Sequence, residues 1–282
     1  MRNVGKKILC GVLAGVLIMG MTGCGAADKS MNGPSAEASG AGPSEKIRHI
    51  QDLNGMRIGL QPGTSMDETV ANVLPDAQFR NYNSYSDMVQ ALKDGKIDAI
   101  PGDEPVMLEL CAGDDSLRML DGYLEEFDFG YAFAKTDKGQ ALCDEFNAYL
   151  DEIKASGELQ QIKDIWMGAD DSKKVIEDYT AFPATNGSLR MITEGDYAPF
   201  NYFKDGSVVG YDIDIAVRFC KKNGYALEIT TSEFSKLLND VTNETADFAG
   251  AGITITDERK EQVLFSSPNY SGGVSMVVLK LL

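Results

Sequence analysis

The stretch "SLRMITEGDYAPFNYFKDGSVVGYDIDIAVRFCKKNGYALEITT", residues 188–231, spells strand, loop, helix, strand. "SLRMIT" is a short, mostly apolar run that reads as a strand, and the Gly, Asp and Pro of "EGDYAPFNY" read as a loop. "GYDIDIAVRFCKKNG" predicts a helix with Asp212 as its cap and Gly224 in the left-handed position that closes it. "ALEITT" is the next strand. Strands alternating with helices in this way predict an α/β architecture with mainly parallel sheets.

The pattern continues on both sides. Downstream, Phe234 to Val241 predicts a helix, and "ADFAGAGITIT", residues 246–256, a strand running into a loop. Upstream, Met56 to Leu60 reads as a strand that "PGTS" breaks, and Met66 to Leu74 reads as a helix. "QFRNY" is a strand, Ser84-x-x-Asp87 resembles a capping box for a helix that stops at Gly95, and "IDAIPGD" is a strand entering a loop. Both stretches end in helix, short turn, then Asp before small apolar residues: "LKDGKIDAIPGD" and "LNDVTNETADFAGAG". This repetition predicts two related lobes, residues 50–134 and 188–282. Between them, "FGYAFAK" reads as a strand and Gln140 to Trp166 as two helices split at Ser156-Gly157. Residues 167–187 read as a linker, so 135–187 is expected to hold closing helices and linker.

Composition limits the function. The 282 residues are 43% hydrophobic and carry a formal charge of −17, which argues against nucleic acid, because phosphate contacts need clustered Lys and Arg. Residues 1–23 read as a signal: Arg2, Lys6 and Lys7 precede an apolar run too short for a stable membrane span. Small residues leading into Cys24 resemble a bacterial lipobox, with an ordinary secretory signal as the alternative. Residues 24–49, rich in Gly, Ala, Ser and Pro to Glu45, read as a flexible tether. Beyond Cys24 only Cys111, Cys143 and Cys220 remain, without CxxC spacing, so neither a disulfide framework nor a zinc site is expected. His49 is the only histidine, and no catalytic triad, nucleophile elbow or phosphate loop is legible. Binding is favoured over catalysis, and no cofactor or metal is expected.

Ligands collect outside the carboxyl ends of strands in open α/β sheets, so "LQPGTS", "IPGDE", "TEGDYAPF" and "AGITITDER" are expected to meet at one cleft. Arg259 stands in the first turn of a helix capped by Thr256, where the helix dipole disfavours a cation unless an anion is near. A guanidinium suits a carboxylate ligand. Spacing alone leaves a surface arginine paired with Asp257, Glu258 or Glu261 equally open. Thr254 is either an anion contact or an ordinary strand residue, and Asp103 either a ligand group or a plain helix cap. Gly63-Thr64-Ser65 opens a helix whose NH groups suit polar ligands. Tyr197, Phe200 and Phe234 are wall or core aromatics, and Glu194 is a pocket acid or a solvated loop charge.

Together "MITEGDYAPFNYFKDGSVVGYDIDIAVRFCKKNG" and "ADFAGAGITITDERKEQVLFSSPNYSGG" resemble the first lobe of extracellular solute-binding protein family 3, the polar amino-acid receptors of ABC importers. "DLNGMRIGLQPGTS", "ALKDGKIDAIPGDEPV", "YAFAK" and "ASGELQQIKDIWMGAD" resemble the second lobe and closing helices of the same family. The resemblance covers about Ile50 to Leu281. It implies a periplasmic-binding-protein-like fold of two α/β lobes joined by a hinge. It implies that Arg259 holds a ligand α-carboxylate with Thr254 and the Gly252 backbone, and that Asp103 holds the α-ammonium. Ser65, Met66 and Gln61 match second-lobe contacts, and Glu194, Tyr197 and Phe234 match side-chain pocket positions. The implied partners are a free amino acid, polar or basic, an ABC permease, and a lipid bilayer reached through Cys24 on the extracytoplasmic face. The alternatives are a dehydratase-like lyase on the same fold, and a sensory or vestigial module.

The order of the lobes departs from the family. Second-lobe motifs come first here and first-lobe motifs follow, which resembles a circular permutation with "GGVSMVVLKLL" as a crossover strand completing the other lobe. The rival is the tail of one receptor joined to the head of another, and the abrupt end of the chain suits either.

Overall fold

A computed structural model describes residues 47–280. The expected signal, Cys24 and nearly all of the expected tether lie outside the described residues. The core takes up Ile47, ahead of the expected start at 50, and a 3₁₀ turn at Ile50–Leu53 buries Ile50 and Leu53 with it. His49 precedes that turn as its N-cap.

The upstream half runs β1 (Arg57–Leu60), α1 (Met66–Val73), β2 (Gln78–Asn81), α2 (Tyr85–Lys93), β3 (Ile100–Asp103), α3 (Glu104–Gly113), β4 (Leu117–Met119), β5 (Glu126–Phe129) and β6 (Ala132–Phe133). Two helices follow, α4 (Asp137–Ala155) and α5 (Glu158–Trp166), separated at Ser156-Gly157 as expected. The downstream half runs β7 (Ser188–Thr193), β8 (Asp196–Tyr197), β9 (Asn201–Lys204), β10 (Ser207–Val209), α6 (Tyr211–Asn223), β11 (Ala226–Thr231), α7 (Leu237–Thr242), β12 (Phe248–Ala249), α8 (Asp257–Gln262), β13 (Leu264–Phe265) and β14 (Tyr270–Leu279). A 3₁₀ turn, Phe234–Lys236, precedes α7. Residues 167–187 contain no helix or strand.

Strands joined by helices pair in parallel: β1 with β2, β7 with β11 and β12. Each lobe is completed by an antiparallel strand from the other half of the chain. β14 lies between β3 and β4 in the upstream lobe, and its first residues pair with β5. β6 lies between β12 and β13 in the downstream lobe, giving the order β11-β7-β12-β6-β13. The upstream order is the same in kind, β2-β1, then β3-β14-β4, with β1 and β3 touching through the parallel Ile58–Ala99 bridge.

Side-chain alternation explains why these strands insert so deeply. Along β14, Val274, Met276 and Val278 enter one core with Ile47, Leu53, Ile58 and Leu60, while Val277 enters another with Ile100 and Leu117. Along the β6 segment, Phe133 packs with Phe146 and Phe248 on one side, and Ala132 packs with Leu237 and Val241 on the other. Strands buried on both faces read as continuous apolar runs rather than alternating ones. Each fully buried valine of β14 contributes about 1.5–3 kcal/mol, so each lobe depends on residues made in the other half. Among the described residues no helix is long and apolar enough to cross a membrane.

Candidate functional site

The carboxyl ends of β1, β3, β7 and β12 meet at one cleft between the lobes. Gln61, Thr64, Met66, Tyr85 and Asp103 come from the upstream lobe, and Glu194, Tyr197, Phe234, Gly252, Thr254 and Arg259 from the downstream lobe. They leave a cavity of only about 20 Å³, room for roughly one water, so the lobes lie shut on each other and must part to admit a ligand.

Arg259 is carried by α8, whose N-cap Thr256 accepts a hydrogen bond from Arg259 N at 3.2 Å. The side chain is only 7% exposed, and no carboxylate pairs with it among the described residues, so the surface ion pair left open by spacing is not formed. Its Nη1 donates to the Thr254 carbonyl at 2.9 Å, and its Nη2 donates to the Gly63 carbonyl of the facing lobe at 2.7 Å. Phe234 lies 5.6 Å from the guanidinium carbon, ring face toward the charge. Burial pulls the guanidinium pKa down to about 10, and the nearby Glu258 acts in the opposite direction.

Asp103 is 1% exposed at the end of β3 and stands as N-cap of α3, yet its side chain makes no capping bond. Its Oδ1 has no hydrogen-bond partner among the described residues, and burial pushes its pKa well above the carboxylate range. A helix cap is therefore an insufficient account of this side chain. Glu194 at the end of β7 is not a solvated loop charge either: Oε1 accepts from Gln61 Nε2 across the cleft, and Oε2 is buried without a partner. Burial raises its pKa to about 7, the Gln61 bond lowers it, and Asp196 raises it further.

Several expected residues fall elsewhere or act differently. Ser65 is the N-cap of α1 without a side-chain bond, and it lines the adjoining open groove rather than the closed cavity. Phe200 is fully buried core. Asp212 does not cap α6. Gly210 occupies that position, at φ +137, and Asp212 is turned inward to accept from Gly252 N at 2.8 Å. Thr64, from the Gly63-Thr64-Ser65 helix opening, lines the cavity, and so does Tyr85, although its spacing gave no reason to single it out. Tyr85 follows the Ser84 cap at the end of β2, so its ring stands 5.3 Å from that of Tyr197 across the cleft. Its position directly after a cap at a strand's carboxyl end was the available signal.

The lobes touch directly around the cavity. Ser86 Oγ donates to Asp196 Oδ1 at 2.9 Å, and Ser86 N donates to Asp196 Oδ2 at 3.2 Å. The arrangement gathers one buried cation, Arg259, and two acids with buried oxygens, Asp103 and Glu194, from both lobes around one point.

Residues 189–281 match the model of the bacterial extracellular solute-binding proteins, family 3, in agreement with the resemblance. The arginine-binding periplasmic protein of Mannheimia haemolytica is 36% identical over 114 residues, covering 39% of this chain and 48% of that protein. The arginine-binding extracellular protein of Bacillus subtilis is 37% identical over 92 residues, 33% of this chain and 36% of that one. The cyclohexadienyl dehydratase of Pseudomonas aeruginosa is 35% identical over 95 residues, 33% of this chain and 35% of that one. The chain thus spans half or less of the length of each of these relatives.

Proposed function

We propose that this protein captures a free basic amino acid between its two lobes and presents it to an ABC-type permease. The carrying observation is one cavity that holds a guanidinium without a carboxylate partner and two buried carboxyl groups with orphaned oxygens, Asp103 and Glu194. A ligand with one carboxylate and two cationic groups complements all three. Its carboxylate replaces carbonyl oxygens as partner of Arg259, with Thr254 and Gly252 alongside. Its α-ammonium takes Asp103, and its side-chain cation takes Glu194 between Tyr197, Tyr85 and Phe234. Met66, with Gln61 and Ser65 nearby, supplies the facing wall. The names of the arginine-binding relatives support the same class of ligand.

Capture proceeds by hinge closure, since side chains from both lobes must reach one small ligand. Micromolar binding corresponds to about −8 kcal/mol, within reach of a few charge-assisted hydrogen bonds. Lipid attachment through Cys24 would hold the receptor at the extracytoplasmic membrane face. The reversed order of the two halves is best read as a circular permutation, because each lobe's sheet takes a strand from the other half. The rival, a tail and a head of separate receptors, would leave β6 and β14 serving lobes outside this chain.

A thermal-shift panel of the free amino acids tests the proposal. Stabilisation by arginine, lysine or ornithine is expected, and no stabilisation of a correctly folded sample would overturn it. A second reading, a lyase, has one observation in its favour besides the dehydratase relative: Glu194, with a pKa of about 7, can carry a proton at neutral pH. Turnover of prephenate or arogenate without amino-acid binding would select it.

A further inference from the structure

Asp212 is a buried carboxylate to which no lysine or arginine bonds among the described residues. Its position in the first turn of α6 is favourable for an acid, but its contacts lie far away in the chain. Oδ2 accepts from Gly252 N at 2.8 Å, Oδ1 accepts from Asn269 Nδ2 at 3.3 Å, and its backbone carbonyl accepts from Tyr131 Oη at 2.6 Å. Asn269 is held in turn: its N–H donates to the Phe129 carbonyl at 3.0 Å, and its own carbonyl accepts from Tyr211 Oη at 2.5 Å.

These partners belong to three distinct segments. Gly252 begins the ligand-facing turn after β12. Phe129 to Tyr131 joins β5 to β6, and Asn269 joins β13 to β14, so these two segments are where the chain crosses between the lobes at the site. The turn and the first crossover are also zipped together: Gly130 N donates to Ile253 O at 3.1 Å, and Ile255 N donates to Asp128 O at 2.9 Å. Gly252 sits at φ +59, and a Cβ there would stand 2.7 Å from Tyr197 Cε1 and 3.2 Å from Phe129 Cε2. The carboxylate therefore fastens the turn that faces the cavity to the second crossover. The first crossover is tied in through the Tyr131 bond to the Asp212 backbone carbonyl and through the Asn269 and Ile253 bonds to Phe129 and Gly130. Hydrogen-bonded networks of this kind transmit displacement because a buried donor left unpaired is costly.

We propose that Asp212 is a positioning residue that couples the seating of ligand at Gly252 to Thr254 to the bending of both interlobe crossovers. This rests on the amino-acid reading for its ligand, but the coupling itself belongs to the fold. The titratable groups facing Asp212 are Tyr131 from the β5–β6 crossover and Tyr211 from its own helix; Asp214 is occupied with Trp166 and Arg218. Asn269 Oδ1 is buried without a partner, so the amide of Asn269 can turn to meet a donor at position 212.

The test uses the full chain, L-arginine as ligand in titration calorimetry, and amide hydrogen exchange read at residues 250–254, 127–131 and 268–270. Asp212→Ala is expected to weaken arginine binding about tenfold, the cost of leaving buried donors unpaired, and to lower protection in all three segments together. Asp212→Asn is expected to recover most of both, because its amide oxygen still accepts from Gly252 and its amide nitrogen meets Asn269 Oδ1. Asn269→Ala cuts only the arm to the second crossover and touches no cavity residue. It is expected to weaken binding severalfold with Gly252 protection kept, and it decides the matter if Asp212→Ala does not fold. Arginine binding at parental strength by either folded alanine variant, or failure of Asp212→Asn to recover it, overturns the proposal. If the parent binds no amino acid, the functional reading falls. The exchange data then decide the coupling alone: joint loss of protection supports it, and loss confined to residues 250–254 overturns it.

Discussion

Arg259 Nη2 donates to the Gly63 carbonyl at 2.7 Å, so a side chain rooted in one lobe ends on the backbone of the other. The same guanidinium holds the Thr254 carbonyl at 2.9 Å, which aims it along the cavity wall. A ligand carboxylate would compete for these NH groups with far stronger acceptor character.

Replacing Arg259 should therefore affect binding beyond loss of charge. Arg259→Lys keeps the cation but cannot bond two acceptors in a planar fork. We expect arginine binding weakened roughly 100-fold, and more for Arg259→Ala, since truncating one partner of a buried charged contact costs about 2–5 kcal/mol. Titration calorimetry on folded variants measures this. Parental affinity in Arg259→Lys would remove Arg259 from the site.

Glu194→Gln tests the side-chain pocket separately from the α-carbon groups. The amide retains a partner for Gln61 but loses the charge that complements a cationic side chain. Affinity for arginine and lysine should fall about 10- to 100-fold, as for loss of a buried charge-assisted bond, while affinity for glutamine changes little. Equal losses for charged and neutral amino acids would place Glu194 outside the side-chain pocket.

The raised carboxyl pKa values set a pH dependence whose sign is fixed. Burial lifts Glu194 from an ordinary 4.5 to about 7 and Asp212 from 3.8 to about 7. The folded chain holds these protons more tightly than the unfolded chain, so their stabilising contribution is full below about pH 4 and lost as pH rises through about 7. The melting temperature of the ligand-free protein should therefore fall across that window. A cationic ligand reverses the preference by favouring ionised Glu194, so arginine should bind more tightly as pH rises from 5 to 8. The slope is limited to about tenfold per pH unit per proton released. Glutamine should show a shallower slope, and equal slopes would argue against a Glu194–cation contact.

Much of this was legible in the residues. Thr256 as a cap, the Ser84 capping bond from Asp87 N, the break at Ser156-Gly157 and the inserted strand at the chain's end all follow from local chemistry and motif order. Asp212 was misread because a helix start accounts for an acid without asking what lies 40 residues away; its true partner, Gly252, is brought near only by the sheet. β6 is likewise a two-residue strand whose place between β12 and β13 is a tertiary fact. Orphaned oxygens on Asp103 and Glu194, the strongest sign of a ligand, cannot be read from spacing at all.

Gly63 offers the most direct test of closure. Its φ of +84 disfavours any side chain, and a Cβ would stand 2.8 Å from Ser235 Cα, a backbone atom of the opposite lobe that cannot rotate away. The approach exists only when the lobes are shut, so a side chain at 63 acts as a wedge as well as straining the turn by about 1–2 kcal/mol. Gly63→Val should shift the protein toward an open form, with a larger radius of gyration in small-angle scattering that arginine fails to reduce. Gly55, at φ +79 with nothing near its Cβ, provides the control, because Gly55→Val carries the strain without the wedge. If both variants lose stability but close normally on arginine, the contact between Gly63 and Ser235 is incidental to binding; if only Gly63→Val stays open, closure depends on these two backbones meeting.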